Sequence, residues 1–245
     1  MKNINNTLSF LTICIALNAS PVIAYDVVKV ADGAAIEGTV VYKGAVPLRK
    51  IIPTKDREVC GGPRDESVVR LGPAQGVQEA VVYLKAVAKG KAWPAQETTP
   101  VLDNKSCRFE PAFQVVRPGA LDIHNSDPVL HNTHGFYGRR TAFNVALPKS
   151  GVTVPVEVPR PGLVRVECDA HGWMLAHLFV ADNPYYALTG KDGSFSIKEV
   201  PPGNYTLVVS QPYLGDTEMA VTVNSGETER HTIEIKKTSE FLAPQ

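Results

Sequence analysis

The chain has 245 residues, with 25 Lys and Arg balanced by 25 Asp and Glu. This balance gives no electrostatic basis for a nucleic-acid or anionic-membrane partner. The length allows one or two domains with real hydrophobic cores.

Residues 1–24 read as an export leader. Lys2 supplies the positive start, Leu8 to Leu17 an apolar stretch, and Val22-Ile23-Ala24 a small-residue cleavage signal. The apolar stretch falls short of the roughly 20 residues that span a bilayer, and no later segment approaches that length. The mature chain is therefore expected to start near Tyr25, to lack a membrane span, and to be periplasmic or secreted. Cys14 sits inside the leader without a preceding Gly or Ala, which argues against a lipid anchor. If uncleaved, the leader would act as a tether.

Beyond the leader, short apolar or alternating runs are punctuated by Gly and Pro, and no long segment carries helical periodicity with caps. The chain reads as all-β. Candidate strands cover residues 36–42, 80–87, 113–116, 120–124, 153–158, 162–168, 177–181, 194–197, 205–210, 219–223 and 231–235. Asp192-Gly193 and Pro201-Pro202-Gly203-Asn204 supply turn chemistry between them. Residues 47–65 and 89–100, polar and rich in Pro, read as connections.

Three cysteines follow the leader: Cys60, Cys107 and Cys168. An odd number in an oxidising compartment singles out one thiol. The economical pairing is Cys60 with Cys107, which leaves Cys168 as a metal thiolate; sequence alone leaves the other connectivities open. The run Cys168-Asp169-Ala170-His171-Gly172-Trp173-Met174 explains the preference, because thiolate, imidazole and thioether recur at three-residue steps. With His131 upstream, this makes a two-His, one-Cys, one-Met set suited to copper. Zinc also accepts Cys and His, and the thioether is what favours copper.

From residue 101 the chain resembles the cupredoxins of the amicyanin and plastocyanin type. The string from Asn125 to His134, with its His131-Asn132-Thr133-His134 end, is similar to that family's first ligand loop. Gly162 to Cys168 is similar to the strand that delivers the cysteine, and Cys168-x-x-His171-x-x-Met174 has the family's ligand spacing. The resemblance implies a Greek-key β-sandwich and one mononuclear type 1 copper, with His131, Cys168 and His171 as strong ligands and Met174 as the weak axial one. It also implies that Asn132 ties the two ligand loops together, against the plainer reading of a turn-capping asparagine. Trp173 is a candidate docking rim, with electrons entering at the His171 edge, or else a packing anchor for the loop. Of the remaining imidazoles, His124, His134 and His177 read as strand residues, His134 also as an alternate ligand.

Residues 36–44 with 80–84, and residues 189–197 with 200–207, resemble two halves of a carboxypeptidase regulatory-like, transthyretin-like β-sandwich. The second half carries the strings Asp192-Gly193-Ser194-Phe195 and Pro201-Pro202-Gly203-Asn204-Tyr205-Thr206-Leu207. This implies a discontinuous sandwich from residues 25–100 and 183–245, with a cupredoxin domain, residues 101–182, inserted. The rival arrangement gives residues 25–182 to one enlarged copper domain and the rest to a small C-terminal sandwich.

The function expected is one-electron transport between a redox donor protein and an acceptor. Catalysis is not expected: the chain has no His-x-His or His-Cys-His pair, no recognisable Ser-His-Asp set, no phosphate-cradling loop and no His-Glu-x-x-His. The alternatives are copper capture and delivery, and a binding module whose metal site is structural or vacant.

Overall fold

A computed structural model describes residues 25–238; the expected leader lies outside them. Among the described residues the regular structure is β-strand, apart from one helical turn at Arg57–Cys60 and a 3-10 turn at Pro73–Gln75.

Four sheets form two sandwiches. In the first, Ala34–Val41 lies between Ser194–Val200, antiparallel, and Thr228–Glu234, parallel. Facing it, the antiparallel order is Tyr186–Leu188, Val81–Lys85, Gly203–Gln211, Gly215–Val223. Alternation along Ala34–Val41 sends Ile36 and Val40 inward to meet Leu84, Phe195, Ile197 and Leu207. Gly193 has φ +80°, and a Cβ there would lie 2.4 Å from the Val40 carbonyl oxygen. The Asp192-Gly193 turn therefore needs glycine both for its backbone and for its seat against the neighbouring strand.

The second sandwich packs the sheet Thr153–Val158, Gly119–Asn125, Val101–Lys105, Arg108–Glu110 against a five-stranded one. The latter runs Arg140–Leu147, His131–Tyr137, Gly162–Cys168, Leu175–Val180, Phe113–Val116. Its core is separate from the first and contains Leu121, Ile123, Leu147, Val164, Val166, Leu178 and Met174. A small cluster of Val81, Phe113, Phe179 and Ala181, with Tyr83 and Tyr186 against it, joins the two.

Residues 47–65 are more than a connection. Leu48–Ile51 pairs antiparallel with Arg64–Ser67, and the helical turn stands between them. This ladder escapes an apolar-pattern reading because ion pairs brace it: Arg49 and Arg64 both reach Glu66, at 3.4 and 2.8 Å. Burial pushes the Glu66 carboxyl up, but Arg64, Arg108 and Arg49 outweigh that and hold it below the usual range. Strands at Val101–Lys105, Arg108–Glu110, His131–Tyr137 and Arg140–Leu147 also join the expected set.

The disulfide joins Cys60 to Cys107, as the cysteine count favours, and Cys168 is a buried free thiol. The bridge closes a separation of 47 residues. Chain-entropy reasoning values such a closure at about 4 kcal/mol. Replacing both cysteines by alanine should lower the unfolding free energy by roughly 2–4 kcal/mol, read as a lower urea midpoint with a steeper slope, because the unbridged denatured chain is less compact.

Candidate metal centre

Two neighbouring strands bring the donors together. Thr133 pairs with Cys168 across the antiparallel ladder between His131–Tyr137 and Gly162–Cys168. The two-residue repeat puts His131, Thr133 and Gly135 on one face, and Val164, Val166 and Cys168 on the same interior side. His131 thus lies one step beyond the partner of Cys168 and faces the same core. After Cys168 the chain turns tightly: His171 N donates to Cys168 O at 3.1 Å and Met174 N to His171 O at 2.9 Å. Met174 is buried in the same core cluster as Cys168.

Cys168 Sγ lies 3.7 Å from His131 Nδ1 and 3.7 Å from His171 Nδ1, and the two Nδ1 atoms are 3.1 Å apart. A point in the plane of this triangle lies about 2.0 Å from all three atoms, close to ordinary metal–nitrogen distances and slightly inside metal–sulfur ones. Both imidazoles have no exposed area and Cys168 is 2% exposed. A buried thiol and two buried imidazoles converging in this way fit a metal ion of intermediate or soft character.

The far sides of the rings fix which nitrogen faces the centre. His131 Nε2 donates to Asp127 Oδ2 at 2.9 Å, and His171 Nε2 to Asp56 Oδ2 at 2.9 Å. A carboxylate holds the proton on Nε2, so each Nδ1 presents its lone pair. Asp127 is buried and also accepts from Ser106 N at 2.7 Å and Cys107 N at 2.8 Å. Asp56 precedes the helical turn that ends in Cys60. The disulfide therefore ties the segment that carries Asp56 to the turn whose N–H groups hold Asp127. Asn125 completes the loop: its Nδ2 donates to Val129 O and Leu147 O, each at 3.0 Å, and its Oδ1 accepts from Asp127 N at 2.9 Å.

The electrostatics divide the donors. Burial lowers the His131 pKa against the opposing pull of Asp127, so the neutral ligating form is favoured. Burial raises the Cys168 thiol, although N–H groups of Asn132, His171 and Ala170 point at its sulfur and offset part of the effect. The metal-free thiol is thus held protonated, and a bound cation is what would make it a thiolate.

The Asn132 main-chain N–H donates to Cys168 Sγ at 3.4 Å, while its side chain turns away to Asn144 Oδ1 at 2.8 Å. Trp173 is half-buried, with its ring centroid 5.1 Å from that of His171 in an edge arrangement, and its carbonyl accepts from Arg49 Nη2 at 2.9 Å. The His171 edge itself does not reach the surface. His134 points to the other face of its strand, between Asp169 at 3.2 Å and Thr141 at 3.0 Å. His124 bonds Thr153 Oγ1 at 2.7 Å, and His177 is buried on Leu175–Val180.

Asp56, Asp127 and Asn125 are the residues that sequence reasoning passed over. The Asx chemistry of Asn125-Ser126-Asp127-Pro128 signals a built loop. Asp56 carries no comparable signal, since 115 residues separate it from His171.

Residues 175–236 match the family model of the carboxypeptidase regulatory-like domain. No curated protein matches the chain. Among solved structures, it is similar to amicyanin from Paracoccus versutus (Thiobacillus versutus), with 13% identity over 36% of this chain and 85% of that one and a TM-score of 0.32. It is similar to a purple cupredoxin from Nitrosopumilus maritimus, with 18% identity over 34% of this chain and 99% of that one and a TM-score of 0.30. A copper-containing nitrite reductase from Thermus scotoductus gives 17% identity over 40% of this chain and 26% of that one, with a TM-score of 0.31.

Replacing Asp127 by Asn removes the carboxylate that sets the His131 tautomer, and metal affinity should fall about 10- to 100-fold in a chelator competition. His177 gives a separate pH signature. Burial, with the nearby charges of Arg165 and Arg49, lowers its pKa to about 4. Its neutral form is therefore part of the folded state: the full stability is present above the unfolded value near 6.5, and it is lost as pH falls from there toward 4. The loss should approach about 3 kcal/mol. Denaturant titrations across this window should show a shallower acid limb in His177→Gln than in the parent.

Proposed function

We propose that the protein is an exported type 1 copper protein that carries single electrons between redox proteins. The observation that carries this reading is the buried triangle of two Nδ1 atoms and one Sγ, oriented from behind by carboxylates and sized for one ion. In this reading His131, Cys168 and His171 hold the metal and Met174 is the weak axial donor. When bound, copper supplies a one-electron couple between Cu(I) and Cu(II), and thiolate, imidazole and thioether donors serve both states. The chain's own contribution is constraint. Strand pairing fixes Cys168 against His131, Asp127 and Asp56 hold the rings, and the Asn132 N–H restrains the sulfur. Such a site resists rearrangement between oxidation states. No catalytic role is assigned to it.

Trp173 is the proposed electron port and docking rim, because it is half-exposed and stands against the buried His171 ring. The expected leader and the disulfide support a periplasmic or secreted location, and no helix among the described residues is long and apolar enough to cross a membrane. The two separate cores support the reading of residues 101–182 as a copper domain inserted into a sandwich built from residues 25–100 and 183–245. That sandwich serves as scaffold and docking surface.

A second reading, copper capture and delivery, is favoured by one feature: His171 offers no exposed edge and is clamped by Asp56. A carrier self-exchanges electrons rapidly, whereas a delivery protein yields Cu(I) to an acceptor chelator faster than it exchanges electrons. For the copper site itself, addition of Cu(II) to the mature protein should produce an intense visible thiolate-to-copper band and a narrow copper hyperfine splitting in electron paramagnetic resonance. Cys168→Ser should lack both. An uncoloured parent protein would sink the type 1 assignment.

A further inference from the structure

The disulfide lies beside the metal centre as well as bracing it. Cys60 Sγ, Cys107 Sγ and a ring nitrogen of His171 all lie within 4.8 Å of one another, and all three residues are buried. As a disulfide, the two sulfurs are weak donors. As thiolates they would be a soft pair with an imidazole already at hand, a donor set suited to Cu(I). We propose that reduction of Cys60–Cys107 creates a second Cu(I) site from Cys60, Cys107 and His171.

The step balances with a dithiol as reductant. Thiolate attack breaks the Cys60–Cys107 bond through a mixed disulfide; the dithiol closes to its own disulfide, and two electrons and two protons pass to the protein's sulfurs. Each new thiol then releases its proton when Cu(I) binds. A cleft of about 750 Å³, whose walls include Cys107, Phe109, Trp173 and Met174, borders the bridge. Cys107 itself has no exposed area and Cys60 is 5% exposed, so thiolate attack falls on the Cys60 sulfur.

His171 belongs to both donor sets, so the two sites compete for it. Compartment redox state would then set where the copper sits: in the His131, Cys168 and His171 set when the bridge is closed, and drawn toward Cys60 and Cys107 when it is open. The second site does not depend on the first being a copper site, because it uses neither Cys168 nor His131.

The test uses Cys168→Ser, which removes the thiolate of the first set and keeps the bridge. The variant is reduced with dithiothreitol, freed of reductant under argon, and titrated with Cu(I) against bicinchoninate. The reduced variant should withdraw one equivalent of Cu(I), the oxidised variant none, and the further change Cys107→Ser should weaken retention at least 100-fold. X-ray absorption should show two sulfur neighbours. Absence of withdrawal, equal withdrawal before reduction, or loss of the folded far-ultraviolet dichroism on reduction would each overturn the proposal. Failure of the type 1 reading is scored separately, on the oxidised parent protein with Cu(II).

Discussion

The Asp127 carboxylate is the contact on which the geometry of the candidate centre depends. It is buried, and it receives hydrogen bonds from Ser106 N, Cys107 N and His131 Nε2. A buried carboxylate left without partners costs several kcal/mol, so these donors are held in place as firmly as they hold the acid. One group thereby fixes the turn between Val101–Lys105 and Arg108–Glu110, the backbone at one end of the disulfide, and the tautomer of His131. Asn125 supports it from the chain side by accepting its N–H.

The same device recurs on the other imidazole with a partner from outside the second sandwich. Asp56 and Arg49 come from the segment between the first strands of the other sandwich, and they reach His171 Nε2 and the Trp173 carbonyl respectively. The ligand loop is thus held by its own strands on one side and by a foreign hairpin on the other, and the Cys60–Cys107 bridge ties that hairpin down. The result is a centre without an exposed imidazole edge, with Trp173 and Met174 on the wall of the neighbouring cleft. The burial that hides the donors also sets their protonation: it favours neutral His131 and protonated Cys168 in the absence of a cation.

Much of this was legible in the chain. The all-β class follows from short alternating runs and explicit turn residues such as Asp192-Gly193. The donor types and spacing in residues 168–174 follow from side-chain chemistry, and an odd cysteine count in which one thiol has a metal context favours the bridge without fixing it. The missed strands have identifiable reasons. Arg140–Leu147 buries only Phe143 and Leu147 strongly, and Leu48–Ile51 with Arg64–Ser67 is braced by guanidinium–carboxylate pairs, so neither shows strong apolar alternation. Asn132 shows a subtler divergence: its position ties the loops, but the main-chain N–H makes the tie, and any residue with an N–H and compatible backbone angles supplies that.

By itself the sequence determined which residues could bind a metal and favoured one pairing among the three cysteines, because those follow from residue type and local spacing. Only the tertiary structure decided that Nδ1 faces inward on both rings, that Asp56 closes over His171, and that the disulfide stands within reach of the donors. Those relations join residues 115 and 40 positions apart, as Asp56 with His171 and His131 with His171 show. Contacts of that kind depend on how sheets pack and chains cross, and no periodicity along the chain encodes them.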